Sequence, residues 1–244
     1  MADLDAQLDL LAIMAHPDDA ELLCGGALIK SASRGKRVGV IDLTAGEMGS
    51  SGSAEIRARE ASNAGAQMGL ALRACAELPD SSLRNDHDSR LVVAALIRAF
   101  RPRVVITHWK HGRHRDHRVT SELVRDACFL SALRKLEVPG EPFRPHKLVY
   151  ATAFREDAGP PDFVVDVTDQ MDRKLDAIAA YQSQFDGATQ AGEVYPGGGR
   201  ELIAQIRAKM AHYGSLIRVR YGEPYRIDEA MEVDEISELG VSTF

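Results

Sequence analysis

The chain has 244 residues, 45% of them hydrophobic, enough to bury a sizeable core and too many for a disordered chain. Thirty Lys and Arg stand against 36 Asp and Glu, a net charge of −6, which argues against a general nucleic-acid binder or an acidic-membrane binder. Met1-Ala2-Asp3-Leu4-Asp5 lacks the basic start of a secretory leader, and the longest apolar run, near 10–15, is far too short to cross a bilayer. With Cys24, Cys75 and Cys128 widely spaced and odd in number, the expectation is a cytoplasmic protein with reduced thiols, without disulfides or a cysteine-based zinc site.

Residues 8–15 read as a strand, 21–34 as a helix and 37–43 as a second strand. A strong helical pattern covers 54–68, a weaker strand lies near 72–77, and 89–100 is helical. Residues 103–108 read as a strand and 118–133 as a helix, with Gly35 and Pro102 as breakers at the joints. Strands alternating with helices of this length imply parallel β-α-β units in an α/β fold whose mostly parallel central sheet is flanked by helices. Beyond 136 the pattern loosens into an elaborated C-terminal third. It holds a loop at 138–142, strands at 147–151 and 163–167, a helix over 169–182, a glycine-rich loop at 194–200 and a helix near 201–213. A short apolar stretch and an acidic tail follow; with no repeat and no linker, a single domain spanning 1–244 is expected.

Two polar clusters interrupt this apolar plan. His16-Pro17-Asp18-Asp19 ends the first strand, where open parallel sheets bind ligands if the strand order reverses. Pro17 stiffens the turn, which suits side chains that must be aimed, and His16 and Asp19 can then converge on one ion with Asp18 beside them. The plainer alternative is that one aspartate only caps the next helix. The second cluster, THWKHGRHRDHRVT at 107–120, carries four of the eight histidines, with His114 and His117 three residues apart. Joined to the first cluster it suits a mononuclear site of two imidazoles, one carboxylate and an open position for water, whose pKa would fall to about 7. The alternative there is a solvated histidine-rich loop.

His16-Pro17-Asp18-Asp19-Ala20-Glu21 and His114-Arg115-Asp116-His117 resemble the two signatures of the PIG-L/LmbE-like zinc N-deacetylases. DLTAGEMGSSGSAEIRAREA (42–61), LPDSSL (78–83), RHRDHRVTSELVRDACF (113–129), AAYQSQF (179–185) and YGEPY (221–225) are similar, in order, to the branch that deacetylates N-acetylglucosaminyl-malate in bacillithiol synthesis. The resemblance implies a Rossmann-like fold and a divalent metal, usually Zn2+, with Fe2+ and Mn2+ as alternatives. It also implies hydrolysis of a sugar N-acetyl group to amine and acetate, and a homo-oligomer, often a hexamer.

By position, the resemblance makes His16, Asp19 and His117 the metal ligands, Asp18 the general base, and His114 the charged partner of the oxyanion that can protonate the leaving amine. Arg57 would contact substrate rather than pair with Glu55 or Glu60 on the surface, and Asp116 would either orient a histidine or sit in an exposed loop. Lys110, Arg113, Arg115 and Arg118 would form a positive funnel for a small anionic sugar conjugate, with Arg113 a substrate contact. Tyr195 beside three glycines would belong to a flap over the substrate, and Trp109 would either stack on a sugar or pack internally.

The chain departs from the family pattern at Arg115, where many relatives have proline, and at Ser50-Ser51, where many have an arginine. Gly112-Arg113 replaces a tyrosine found in part of the mycothiol branch, which weighs against an inositol-linked substrate. The competing readings are an amidase of thiol conjugates or a deacetylase of another amino sugar, a nucleotide-binding Rossmann module, and a metal-binding protein without turnover. The nucleotide reading requires a glycine fingerprint after the first strand, where this chain has the His-Pro-Asp-Asp turn.

Overall fold

The computed structural model describes residues 7–152, 159–185 and 201–238. In chain order the elements are β1 (Leu10–Met14), α1 (Asp19–Ser33), β2 (Val38–Asp42), α2 (Ala54–Met68), β3 (Leu72–Cys75), α3 (His87–Phe100), β4 (Val104–His108) and α4 (Arg115–Leu130). There follow β5 (Lys147–Ala151), β6 (Phe163–Asp166), α5 (Met171–Ala179), α6 (Leu202–Ser215) and β7 (Gly222–Arg226).

The strand order is β3-β2-β1-β4-β5-β7-β6. The first five sequential strands pair in parallel, and β7 runs antiparallel to both β5 and β6. β1 therefore has β2 on one side and β4 on the other, so the chain reverses direction across the sheet there and a crevice opens beyond the carboxyl ends of β1 and β4. Side-chain alternation explains why β1 reads as a continuous apolar run. Leu11 and Ile13 enter the core shared with α3 and α4, while Ala12 and Met14 enter the core on the α1 face. Local signals set the helix ends: Ser53 Oγ accepts the Ile56 N–H at 3.3 Å to start α2, and Gly69, at φ 73, ends it in the left-handed conformation.

Three expectations from the sequence need correction. β7 lies where the sequence shows only a short apolar stretch, because Glu223 and Pro224 hide its strand character; Pro224 is accommodated opposite Val164 in a short antiparallel ladder. The helix expected over 169–182 is a 3-10 turn at Thr168–Gln170 followed by α5. α4 starts at Arg115, ahead of the expected 118, because His114 caps it.

β7 is tied to α1 from the inside. The Glu223 carboxylate, fully buried, accepts the N–H groups of Gly26 (2.7 Å) and Ala27 (2.8 Å), the Tyr225 hydroxyl (2.9 Å) and the Lys174 ammonium (2.6 Å). Lys174, also fully buried, donates in turn to the Leu22 carbonyl, the group that a Gly26 N–H ordinarily meets in an α-helix. Gly26 permits the close approach: a Cβ there would lie 2.8 Å from Val167 Cβ and 2.9 Å from Glu223 Oε1.

Candidate active site

The two polar clusters meet in the crevice. Asp19, in the first turn of α1, directs Oδ2 to within 3.2 Å of His16 Nδ1 and Oδ1 to within 3.2 Å of His117 Nε2. His16 and His117 themselves present nitrogens within 4.8 Å of one another, and His114 joins them at the same limit. A tetrahedral ion with bonds of 2.0–2.1 Å separates neighbouring ligand atoms by about 3.3 Å, so these spacings suit such a centre.

The partners on the far side of His16 fix its tautomer. Its Nε2 lies 3.2 Å from Asp80 Oδ1 and 3.7 Å from Asp116 Oδ2, so Nε2 carries a proton and Nδ1 keeps its lone pair. That lone pair faces an Asp19 oxygen that already accepts the His16 backbone N–H at 2.9 Å. Two acceptors aimed at each other require a cation between them, either a proton or a metal. Burial disfavours the charged form of His16, but Asp116, Asp19 and Asp80 outweigh it and raise its pKa well above the usual value. Burial likewise opposes ionisation of Asp19, yet His117 and His108 hold its carboxyl well below the usual range. The donor set fits a divalent ion at His16, Asp19 and His117, with carboxylates behind His16 as orienting groups.

The orienting carboxylates are themselves anchored. Asp116 is buried, accepting the Ser81 N–H at 2.8 Å and the Arg115 guanidinium at 2.8 Å. Of the two readings of Asp116, the structure places it at the histidine and not in an exposed loop. Asp80 accepts the Met48 N–H at 3.0 Å and donates its own N–H to Glu47; against burial, its contacts with His16 and the backbone hold its pKa at about 2. Arg115 thus braces the site through Asp116 and the Leu83 carbonyl at 2.8 Å.

Asp18 sits at the N-cap of α1 with φ 106, a left-handed conformation strained for a residue with a Cβ. Its side chain makes no capping bond, so capping does not account for it. Burial pushes its pKa up to about 8, Arg57 pulling against this and the Asp19 charge adding to it. Arg57 is buried and not on the surface. It donates to Pro17 O, to Gly46 O at 3.1 Å and to Asp18 Oδ2 at 3.4 Å, while Glu60 accepts from Ser183 and Glu55 from Ser53. A Cβ on Gly46 (φ +68) would fall 2.1 Å from Arg57 Nη1, so only glycine allows this clamp on the His-Pro-Asp-Asp turn.

His114 caps α4, its Nδ1 accepting the Asp116 N–H at 3.3 Å, which leaves Nε2–H as a donor. Burial lowers its pKa to about 4, and His117 and His16 push the same way. These effects favour the neutral ring when no substrate is bound.

Two of the four cations of the anticipated funnel, Lys110 and Arg115, are paired with carboxylates. Lys110 pairs with Asp228 at 2.6 Å, and Arg115 is held as above. Arg118 donates to the carbonyls of Gly112 and Arg113, and Arg113 is exposed on the loop before α4. Trp109 is buried, edge-on to Tyr150 at 5.4 Å, and packs internally. Tyr195 and its neighbouring glycines lie outside the described residues.

Sequence reasoning assigned no role to Asp80 or His108. Asp80 lies in the LPDSSL stretch, where an aspartate just past a strand end was the available signal. His108 is the last residue of β4, 1% exposed, with its ring stacked on His117 at 4.0 Å and an interplanar angle of 13°. Burial, with His117 nearby, brings its pKa down to about 4.

The profile of the PIG-L family, described as GlcNAc-PI de-N-acetylase, matches residues 11–128. A probable N-acetyl-alpha-D-glucosaminyl L-malate deacetylase 2 of Bacillus subtilis is 28% identical over 193 residues, 73% of this chain and 84% of that protein. The crystal structure of N,N'-diacetylchitobiose deacetylase from Pyrococcus horikoshii is 26% identical, covers 89% of this chain and 82% of its own, and superposes with a TM-score of 0.76. That of a conserved protein from Thermus thermophilus is 34% identical, covers 96% of this chain and all of its own, and gives a TM-score of 0.84. With both signature clusters inside the matched profile and a relative of the same fold 34% identical across 96% of the chain, the chain belongs to the PIG-L family.

Proposed function

We propose that the protein hydrolyses the N-acetyl group of a small N-acetylglucosamine conjugate, N-acetylglucosaminyl-malate being the first candidate, to a free amine and acetate. The observation that carries this reading is the Asp19 carboxylate placed 3.2 Å from both His16 Nδ1 and His117 Nε2, with Asp18 next to it in the crevice. His16, Asp19 and His117 would hold a divalent ion, zinc or else iron or manganese, which when bound would supply Lewis acidity for the acetamide carbonyl and lower the pKa of water.

The chain's own residues do the rest. Asp18, in the ionised form that the neighbouring Arg57 and a bound cation would favour, accepts the proton of the attacking water as the water oxygen bonds to the carbonyl carbon. The His114 Nε2–H donates to the oxygen that becomes negative. The C–N bond breaks as a proton reaches nitrogen, from His114 or from Asp18, leaving amine and acetate. Arg57 holds Asp18 in its strained conformation, a positioning role that its three protein acceptors favour over direct substrate contact. Arg113 and Tyr195 are the substrate-binding candidates outside this core, and the identity with the Bacillus subtilis protein supports malate as the aglycone.

The test is release of free amine by zinc-loaded protein from N-acetylglucosaminyl-malate and from plain N-acetylglucosamine, with Asp18→Ala and His117→Ala in parallel. Faster release from the conjugate, lost in both variants, is expected. Zinc uptake with no amine from either substrate removes the malate assignment, and undiminished activity in Asp18→Ala removes the base.

A further inference from the structure

At the crevice β1 and β4 part company. Their ladder pairs Leu10 with Val104, Leu11 with Val105 and Ala12 with Ile106, and stops there. Beyond it, two side chains of β4 take over the hydrogen bonds that the strand no longer supplies. Thr107 Oγ1 donates to Ile13 O at 2.9 Å, and His108 Nε2 accepts the Ala15 N–H at 3.0 Å. On the other side Thr44 donates both its N–H and its hydroxyl to Ala15 O, each at 3.0 Å. Ala15 is thereby held from both flanks immediately before His16.

We infer that His108 is a positioning residue for the metal centre and not one of its ligands, an assignment that rests on the metal-dependent reading above. On distance alone His108 qualifies as a ligand, since Asp19, His108 and His117 offer atoms within 4.8 Å of one another. Its Nε2 lone pair, however, is already committed. A nitrogen that accepts a backbone N–H cannot also donate to Asp19 Oδ2, 3.3 Å away, nor bind an ion, without leaving the buried Ala15 N–H without an acceptor. Asp19 Oδ2 has its own donor in the His16 N–H at 2.9 Å, so a hydrogen bond from His108 is not required to satisfy it. His108 acts instead by holding Ala15, and so the turn that carries His16 to Asp19, and by supporting one face of the His117 ring at 4.0 Å. A single imidazole thus fixes the relative placement of ligands that come from two different strand ends.

Zinc uptake by His108→Phe, which keeps a flat ring and removes the acceptor, tests this by competition with a chromophoric chelator. The expected result is one zinc per chain, bound about tenfold more weakly than by wild type, with kcat reduced and KM within twofold. Loss of stoichiometric zinc makes His108 a ligand and overturns the inference; unchanged affinity and kcat overturn the positioning role. Ring-nitrogen NMR of the wild type needs no variant to fold. His108 Nε2 is expected unprotonated without zinc and unshifted on its addition, whereas His117 shifts. A zinc-induced shift of His108 Nε2 comparable to that of His117 refutes the assignment. A wild-type chain that takes up no zinc overturns the metal-centre reading itself, whatever substrate it acts on.

Discussion

Replacing Lys174 with methionine tests the internal tie between β7 and the helix that carries Asp19. The Lys174 ammonium and Glu223 carboxylate are 2.6 Å apart, and neither side chain is exposed to solvent. Methionine fills a similar volume but leaves Glu223 with three neutral donors and no countercharge, and removes the donor to Leu22 O. Removing one partner of a buried pair costs about 3–5 kcal/mol. In a chain of this size each kcal/mol lowers Tm by roughly 2–4 °C, so a fall of about 6–20 °C is expected. Thermal and denaturant unfolding of Lys174→Met, Glu223→Gln and the double variant measure it. The double variant is expected to lie closer to wild type than Lys174→Met does, since the unpaired charge is gone while an amide oxygen still serves an α1 N–H. A loss below about 1 kcal/mol in Lys174→Met, or strictly additive losses in the double variant, refutes the reasoning.

Arg57→Lys cannot serve Pro17 O, Gly46 O and Asp18 together. It is expected to lower kcat about a hundredfold, the scale of a displaced catalytic group, with KM nearly unchanged; a raised KM at constant kcat would return Arg57 to substrate binding. Asp116→Asn weakens a partner of His16 and of Ser81, and chelator competition should show about a tenfold loss of zinc affinity. Zinc at about 100 times its dissociation constant should stabilise the metal-free protein by about 2.7 kcal/mol, read as a rise in Tm that His117→Ala abolishes. A thiol reagent should modify Cys75 alone in the native state and all three cysteines after unfolding. Cys24 and Cys128 are buried, and burial raises the former well above its usual pKa and the latter to about 12.

Much of this molecule is legible in its sequence because the signals are local. Apolar runs at 8–15, 37–43 and 103–108 declare buried parallel strands, a helical pattern covers 54–68, and the two histidine clusters fall at strand ends where such folds bind ligands. β7 escaped because a strand shielded by its neighbours can carry a glutamate and a proline, its carboxylate satisfied by helix N–H groups 196 and 197 residues away in sequence. Spacing likewise could not separate His108 from His114 and His117, all ring nitrogens within one short stretch. The roles diverge only when β1 and β4 separate and leave the Ala15 N–H for one imidazole to accept. Arg57 became a clamp, and Asp80 and Asp116 became supports for His16, for the same reason. Residue type and order determine which groups can bind an ion or move a proton. Only tertiary structure decides which lone pairs remain available, because each hydrogen bond commits an atom to one partner.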